Sequence, residues 1–156
     1  MKILYFALFF LLTFSVTQSQ WTQQNSGTTT ALWGVSFIDA NIGTIVGANG
    51  TILKTTNGGT NWTAQTSGTS SWLRVVCFTD INNGWAVGNT GTILRTTNGG
   101  TIWTSQTSGT SNQLLGVYFI DANNGWVAGD NGTILRTTNG GTNWESQIRG
   151  TTKKLW

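Results

Sequence analysis

The chain has 156 residues, a length typical of one domain, and only 8% of them are charged, with 8 Lys+Arg against 5 Asp+Glu for a formal charge of +3. It contains no His and a single Cys, which excludes a Ser-His-Asp triad, an intrachain disulfide and a Cys/His zinc site. The 9 Trp and the 38% hydrophobic fraction exclude a disordered chain, and the weak, scattered positive charge does not favour a nucleic-acid partner.

Residues 1–19 predict a secretory signal peptide. A lysine at position 2 precedes an apolar run from Ile3 to Val16, which is short for a bilayer span. The small residues Thr17 and Ser19 then mark a cleavage site. The alternative is an uncleaved membrane anchor. We therefore expect a secreted or periplasmic protein that contacts a membrane only through this segment.

The rest of the chain, from position 20 to 156, is one unit repeated at intervals of 41 residues. Segment 62–102 is identical to segment 103–143 at 28 of 41 positions, which is far beyond chance. The tryptophans that mark the unit are Trp21, Trp62, Trp103 and Trp144.

Each unit contains four short strand-like runs. The first run of the first unit is LWGVSFID, in which Val35 and Phe37 alternate with period two, as one buried strand face requires. The second and third runs are IGTIVG and TILKTT, and the fourth begins near the repeated Trp. Turn sequences rich in Asp, Asn and Gly separate the runs, and no stretch has a helical period.

Four strands in about 40 residues are typical of a blade of an all-β propeller, with antiparallel strands in each blade. A β-solenoid is the alternative, although its repeats are usually shorter. We expect three blades, at approximately 28–66, 69–107 and 110–148, and the start of a fourth at 150–156. Residues 21–24 match a fourth strand with no blade before it. Because three blades do not close a ring, we expect either a partial chain or several chains in one ring, with self-association through the open blade faces.

The turn between the third and fourth strands carries Thr, Asn, Gly and Trp at fixed spacing. It resembles the Asp-box, or BNR repeat, with Asn in place of the usual Asp. We expect the Asn and Thr side chains to hydrogen-bond the hairpin, the Gly to adopt positive φ and the Trp to bury its ring. The three copies are Thr55, Asn57, Gly59 and Trp62; Thr96, Asn98, Gly100 and Trp103; and Thr137, Asn139, Gly141 and Trp144.

The wider pattern GV.F.D..NGW.VG..GTIL.TTNGGT.W is similar to the repeats of the photosystem II stability/assembly factor family. The resemblance covers residues 21–156 and implies a propeller that binds other proteins. It implies a role in photosynthesis only in a photosynthetic host, since similar repeats occur in many secreted bacterial proteins. Neither the resemblance nor the residues point to a cofactor, a metal ion or a catalytic group.

Several side chains are candidate sites. Lys54, Arg95 and Arg136 share one repeat position, so we expect a basic arc that binds an acidic protein or an anionic glycan, the alternative being solvated charges at strand ends. Three aspartates each open a turn, where an Asx turn is favoured over a calcium loop. We call these residues the turn aspartates; they are Asp39, Asp80 and Asp121.

Residues that differ between repeats are the candidates for catalytic groups. Asp130, Glu145 and Tyr118 are the groups that a glycosidase or a sialidase would need, and Cys77 is expected to be a packed side chain. Exposed tryptophans form sugar-stacking platforms, whereas buried ones pack the blades; the variable ones are Trp33, Trp72 and Trp156.

The sequence therefore favours a secreted, non-enzymatic propeller that binds or scaffolds proteins. Almost every distinctive residue recurs, whereas an enzyme needs a unique constellation. The alternatives are a carbohydrate-binding or sialidase-like fragment, and a purely structural surface repeat.

Overall fold

The computed structural model describes residues 22–147, which form three four-stranded antiparallel sheets. We call the sheets blade 1 (β1–β4), blade 2 (β5–β8) and blade 3 (β9–β12). The strands are β1 Leu32–Phe37, β2 Gly43–Gly47, β3 Ile52–Thr55, β4 Thr63–Gln65, β5 Leu73–Phe78, β6 Gly84–Gly88, β7 Ile93–Thr96, β8 Thr104–Gln106, β9 Leu114–Phe119, β10 Gly125–Gly129, β11 Ile134–Thr137 and β12 Glu145–Ser146. The predicted signal peptide, Trp21 and the start of a fourth blade lie outside the described residues.

Strands pair in chain order within each blade, so every blade is an up-and-down meander. The predicted all-β fold with about three four-stranded blades is confirmed, and each sheet lies inside one of the predicted blade ranges. Between residues 22 and 147 no helix is long and apolar enough to cross a membrane.

The second and third strands of each blade are joined by a short 3-10 turn. These turns lie at Ala48–Gly50, Asn89–Gly91 and Asp130–Gly132, and the middle residue of each has a left-handed backbone. That residue is Asn in blades 1 and 3, but it is Thr90 in blade 2, with φ of 54°. A β-branched residue is strained there, whereas Asn tolerates the conformation.

The hydrophobic core lies between the blades. Val46 and Ile52 of blade 1 pack against Leu73, Ala86 and Trp103 of blade 2. One repeat further, the interface between blades 2 and 3 is built from equivalent positions, which are Val87, Ile93, Leu114, Val127 and Leu135. A four-stranded sheet cannot bury both of its faces alone, so each blade is stabilised by its neighbours.

The blades approach one another most closely along their first strands, β1, β5 and β9. At Gly34 a Cβ atom would lie 2.8 Å from the Arg74 carbonyl oxygen and 2.9 Å from the Val75 Cα atom. Only glycine allows this approach of β1 to β5. The sheets therefore converge at their first strands, as blades around a propeller axis do.

Two expectations differ from the structure. The face of β1 predicted to be buried is open, with Val35 60% and Phe37 46% exposed, because no sheet among the described residues covers that side of blade 1. In blade 2 the same position, Val76, is buried against blade 1. Residues 22–24, expected to form a strand, are not in one, since no described strand lies beside them to pair with.

Candidate functional site

The Asp-box turns are hydrogen-bonded within themselves. In blade 2 the Thr96 hydroxyl accepts from the Gly100 N–H at 2.9 Å and the Asn98 N–H at 3.3 Å, and donates to Asn98 Oδ1 at 3.0 Å. Asn98 Oδ1 also accepts from the Ile102 N–H at 2.9 Å. Gly100 has φ of 89°, which favours glycine. The same bonds recur at Thr55 and Thr137. These polar groups hold the hairpin, and each threonine is buried.

The tryptophan of each box lies edge-on to the phenylalanine of the first strand. The Phe78 and Trp103 rings are 5.9 Å apart at 87°, and Trp103 is buried. The Phe78 ring in turn covers Gly84, where a Cβ would lie 2.5 Å from it. The glycine of the NGW motif is therefore required by the phenylalanine ring.

Two of the three predicted basic positions, Lys54 and Arg95, lie between blades. Lys54 Nζ donates to the Gly99 carbonyl at 2.6 Å, and the Arg95 guanidinium packs against Gly140, the equivalent glycine of blade 3. Both side chains are half-buried, and Arg136 is exposed. Lys54 and Arg95 thus tether a blade to the Asp-box hairpin of the next blade, and an anionic partner for the arc stays a prediction.

Open polar clefts lie beside Lys54 and Arg95. Their volumes are about 280 and 270 Å³, and they occupy equivalent positions of blades 1 and 2. The shared lining is a basic side chain with neutral amides and hydroxyls, which offers hydrogen bonds and one positive charge but no carboxylate. These residues include Asn57, Thr63 and Gln65 in the first cleft and Asn98, Thr104 and Gln106 in the second.

An exposed aromatic and cationic cluster forms at the start of β1 and β5. We call Trp33, Trp72 and Arg74 the Trp–Arg patch. The two indole rings are 5.0 Å apart, and the Arg74 guanidinium carbon lies 4.3 Å from the Trp33 ring centre and 5.1 Å from that of Trp72. Trp33 is 39% and Trp72 42% exposed. The patch therefore presents a large apolar surface with a cation stacked on it.

Polar side chains from the next two turns hold Arg74 in place. Arg74 Nε donates to Asn89 Oδ1 at 3.0 Å. With its amide oxygen facing Arg74, Gln113 accepts from Nη2 at 3.0 Å, and its nitrogen donates to Asp130 Oδ2 at 3.3 Å. Side chains of blades 2 and 3 thus orient the cation over the tryptophans.

The Trp–Arg patch lies where the repeats diverge. Arg74 occupies the repeat position of Trp33, and Gln113 that of Trp72. The sequence identifies Trp33 and Trp72 as separate candidates, and it does not identify Arg74 as a candidate. The signal that identifies the group is their shared departure from the repeat at neighbouring positions.

The turn aspartates form Asx turns. Asp80 Oδ1 accepts from the Asn82 N–H at 2.7 Å and the Asn83 N–H at 2.9 Å, and its Oδ2 accepts from the Asn83 side chain at 2.8 Å. Hydrogen bonds from the Asn83 side chain and from these backbone groups hold the pKa of Asp80 below its usual value. Asp39 and Asp121 accept the equivalent backbone bonds, and their pKa values are lowered as well.

The residues suggested by glycosidase chemistry are far apart. Asp130 directly follows β10, whereas Glu145 pairs with Arg136, which pairs with Trp126 near the other end of β10. Four residues of strand alone span about 13 Å. Glycosidase carboxyl pairs are about 5–9.5 Å apart, so these two cannot act across one bond.

Cys77 and Tyr118 share one repeat position but differ in exposure. Cys77 is half-buried, and burial raises the pKa of its thiol, so the thiolate is disfavoured. Tyr118 is exposed on the outer face of blade 3.

The family model described as photosynthesis system II assembly factor YCF48 matches residues 14–106 and 65–149. Among solved structures, YCF48 bound to D1 peptide is 28% identical with a TM-score of 0.72, over 80% of this chain and 42% of that one. YCF48 from Cyanidioschyzon merolae is 26% identical with a TM-score of 0.73, over 83% of this chain and 44% of that one.

An ancestral GH74 enzyme shares the fold alone, at 18% identity and a TM-score of 0.62, over 76% of this chain and 18% of that one. The chain spans less than half the length of each of these three structures. Among curated proteins, no sequence matches it at a significant level.

Proposed function

The chain belongs to the photosynthesis system II assembly factor YCF48 family, and from that premise we propose that it is a non-enzymatic propeller that binds a segment of a partner protein. The observation that carries the proposal is the Trp–Arg patch, an exposed surface built from residues that break the repeat. The structure of YCF48 with D1 peptide supports a peptide partner for this fold. A photosystem II protein is therefore the first partner to test.

The chemistry of the patch defines the segment it binds. Trp and Arg are the side chains that most often carry the binding energy of a protein interface. The two indoles offer apolar contact, and Arg74 adds a cation oriented by Asn89 and Gln113. The partner segment carries an aromatic or aliphatic side chain next to a carboxylate, which pairs with the guanidinium.

We place the protein outside the cytoplasm. Residues 1–19 have the charge, apolar run and small residues of a signal peptide, which supports export to the periplasm, the thylakoid lumen or the medium. Fusion of these residues to a reporter that is active only after export tests this placement. A reporter retained in the cytoplasm would contradict it.

Titration of the protein with D1-derived peptides, followed by tryptophan fluorescence and calorimetry, tests the function. Truncation of interface Trp residues typically costs 2 kcal/mol or more. The double variant Trp33→Ala/Trp72→Ala is therefore expected to bind more than about 10-fold more weakly. The variant Ile102→Ala removes an apolar side chain that is 62% exposed and outside the patch, and serves as the matched control.

Two results would contradict the proposal in different ways. Absence of binding by the wild-type chain would refute a D1-type partner. Equal binding by the wild-type and double-variant proteins would show that the peptide binds elsewhere.

Carbohydrate binding is the second candidate function, because paired exposed tryptophans are also the side chains on which sugar rings stack. A glycan array with the same two variants separates the candidates. Glycan binding that is lost in the double variant, without peptide binding, would favour the carbohydrate-binding alternative. Hydrolysis of a fluorogenic sialoside would overturn the non-enzymatic assignment.

A further inference from the structure

The polar cleft beside Arg95, which we call the Arg95 cleft, holds a cation that lacks a hydrogen-bond acceptor. It lies where blade 2 meets the Asp-box hairpin of blade 3, and the structure describes both blades. We infer that the Arg95 cleft binds a uronate, a monosaccharide that carries a carboxylate. The inference is independent of the peptide-binding proposal, because Arg95 lies near the Asp-box end of β7, whereas Asn89 beside the Trp–Arg patch precedes that strand.

A comparison with blade 1 shows how Arg95 loses its acceptor. In blade 1, Lys54 Nζ donates to the Gly99 carbonyl of the next Asp-box at 2.6 Å. The equivalent carbonyl for blade 2 is that of Gly140, and it accepts from Trp85 Nε1 at 2.9 Å instead. The Arg95 guanidinium lies against Gly140, but its Nε is shielded from solvent and no oxygen among residues 22–147 accepts a hydrogen bond from it.

The residue responsible lies on the neighbouring strand. Trp85 pairs with Arg95 across β6 and β7, whereas Thr44 pairs with Lys54 across β2 and β3. The short Thr44 side chain leaves the carbonyl of the next blade to the lysine. Trp85 takes that carbonyl, so the arginine keeps a buried N–H without an acceptor, and such a group favours a ligand that supplies one.

Trp144 supplies a second buried donor at the inner wall of the Arg95 cleft. Its Nε1 is also shielded from solvent and has no acceptor among residues 22–147. A Cβ atom on Gly141 would lie 3.2 Å from this nitrogen and 3.1 Å from Oε1 of Gln106, which lines the cleft. The indole N–H therefore adjoins the cleft wall that Gln106 forms. Two donors without acceptors indicate a ligand rich in oxygen atoms.

The lining of the Arg95 cleft defines the class of ligand. Arg95 is its one charged residue, and the polar neutral residues are Thr97, Asn98, Thr104 and Gln106. A guanidinium pairs with a carboxylate through two parallel hydrogen bonds, and hydroxyls and amides suit the hydroxyl groups of a sugar ring. A phosphate carries nearly two negative charges, of which one cation balances only one. The volume of about 270 Å³ is just below that of sites for drug-sized ligands, so it suits a single sugar ring.

An NMR titration of the isotope-labelled chain with D-galacturonate tests the inference. The indole N–H of Trp144 and the Nε–H of Arg95 report on the site directly. We expect both signals to shift, with a Kd of about 1 mM for a ligand of this size. D-galactose lacks the carboxylate and acetate lacks the ring, so each is expected to bind more than about 10-fold more weakly.

The cleft of blade 1 provides matched controls. Trp103 Nε1 is unpaired beside Gln65 there too, so the two clefts differ mainly in whether the cation has its carbonyl acceptor. Arg95→Gln is expected to weaken galacturonate binding more than about 10-fold, and Lys54→Gln to leave it unchanged. The double variant Trp33→Ala/Trp72→Ala is expected to bind galacturonate like the wild type.

A second pair of variants covers the case in which Arg95→Gln does not fold, which circular dichroism checks. Thr104→Glu places a negative charge at an exposed position of the Arg95 cleft and is expected to prevent binding, whereas Thr63→Glu, at the equivalent exposed position of blade 1, is not.

Four outcomes would overturn the inference. The first is no shift of either signal at about 20 mM galacturonate. The second is equal binding of galactose, and the third is equal binding of acetate, which would show an anion site without sugar recognition. The fourth is galacturonate binding that Arg95→Gln and Thr104→Glu leave unchanged.

Discussion

Replacement of Thr96 by Val tests whether the Asp-box is an internal scaffold. Thr96 is 1% exposed and lies in the blade with a neighbour on both sides. Valine keeps the side-chain shape but removes three hydrogen bonds, at 2.9, 3.0 and 3.3 Å. The 2.9 Å bond comes from a buried N–H of Gly100, and leaving such a donor unpaired costs about 1–3 kcal/mol. The two longer bonds add about 0.5–1 kcal/mol each, so we expect a loss of about 3 kcal/mol in unfolding free energy.

Urea denaturation followed by tryptophan fluorescence measures this loss as a shift of the midpoint at constant slope. Thr96→Ser is the matched control, because it keeps the hydroxyl and removes only a methyl group, at about 1 kcal/mol. Thr97→Val, on an exposed side chain of the same turn, is expected to change stability by less than about 0.5 kcal/mol. If Thr96→Val is no more destabilising than Thr96→Ser, the hydroxyl does not hold the turn and the scaffold argument fails.

Two further predictions concern turns. Thr90→Asn is expected to stabilise the protein by about 1 kcal/mol in the same urea assay, because Asn131 shows that Asn fits this left-handed position. Thr107→Asn is the control at an exposed position without positive φ, and a Thr90→Asn protein no more stable than the wild type would contradict the strain argument. The turn aspartates have lowered pKa values in the fold, so their contribution to stability is present above pH 4 and is lost as the pH falls through the folded pKa. Asp80→Asn should therefore flatten the fall of the urea midpoint as the pH drops below the ordinary pKa of an aspartate, about 3.9, and an unchanged pH profile would count against this linkage.

Much of the fold follows from the sequence, because its signals are local. The period-two alternation at Val76 and Phe78 sets which side chains share a strand face. The Thr-x-Asn-x-Gly turn sets where the third hairpin lies and which backbone groups the Thr96 and Asn98 side chains pair with. A repeat of 41 residues then copies these choices into each blade.

The candidate site does not follow from the sequence in the same way, because its residue types do not recur at the equivalent positions of the other repeats. Trp33 and Trp72 lie 39 positions apart, and neither shows by itself whether it packs inside or faces solvent. Only the close approach of β1 to β5 at Gly34 brings both indoles to Arg74. Lys54 and Arg95 show the converse, since a repeated charge that predicts a surface arc is turned toward the Asp-box turn of the next blade, Lys54 onto the Gly99 carbonyl and Arg95 against Gly140.

The sequence by itself therefore determined the strands, their faces, the turns and the repeat, because each depends on residues within a few positions of one another. The tertiary structure decided which copy of a repeated position is buried and which is exposed. Val76 is covered by blade 1 and Val35 is open, although the two occupy the same repeat position. The physical reason is that a side chain on a blade face is buried only when a second blade packs against that face. The residues of one blade do not determine whether such a second blade is present.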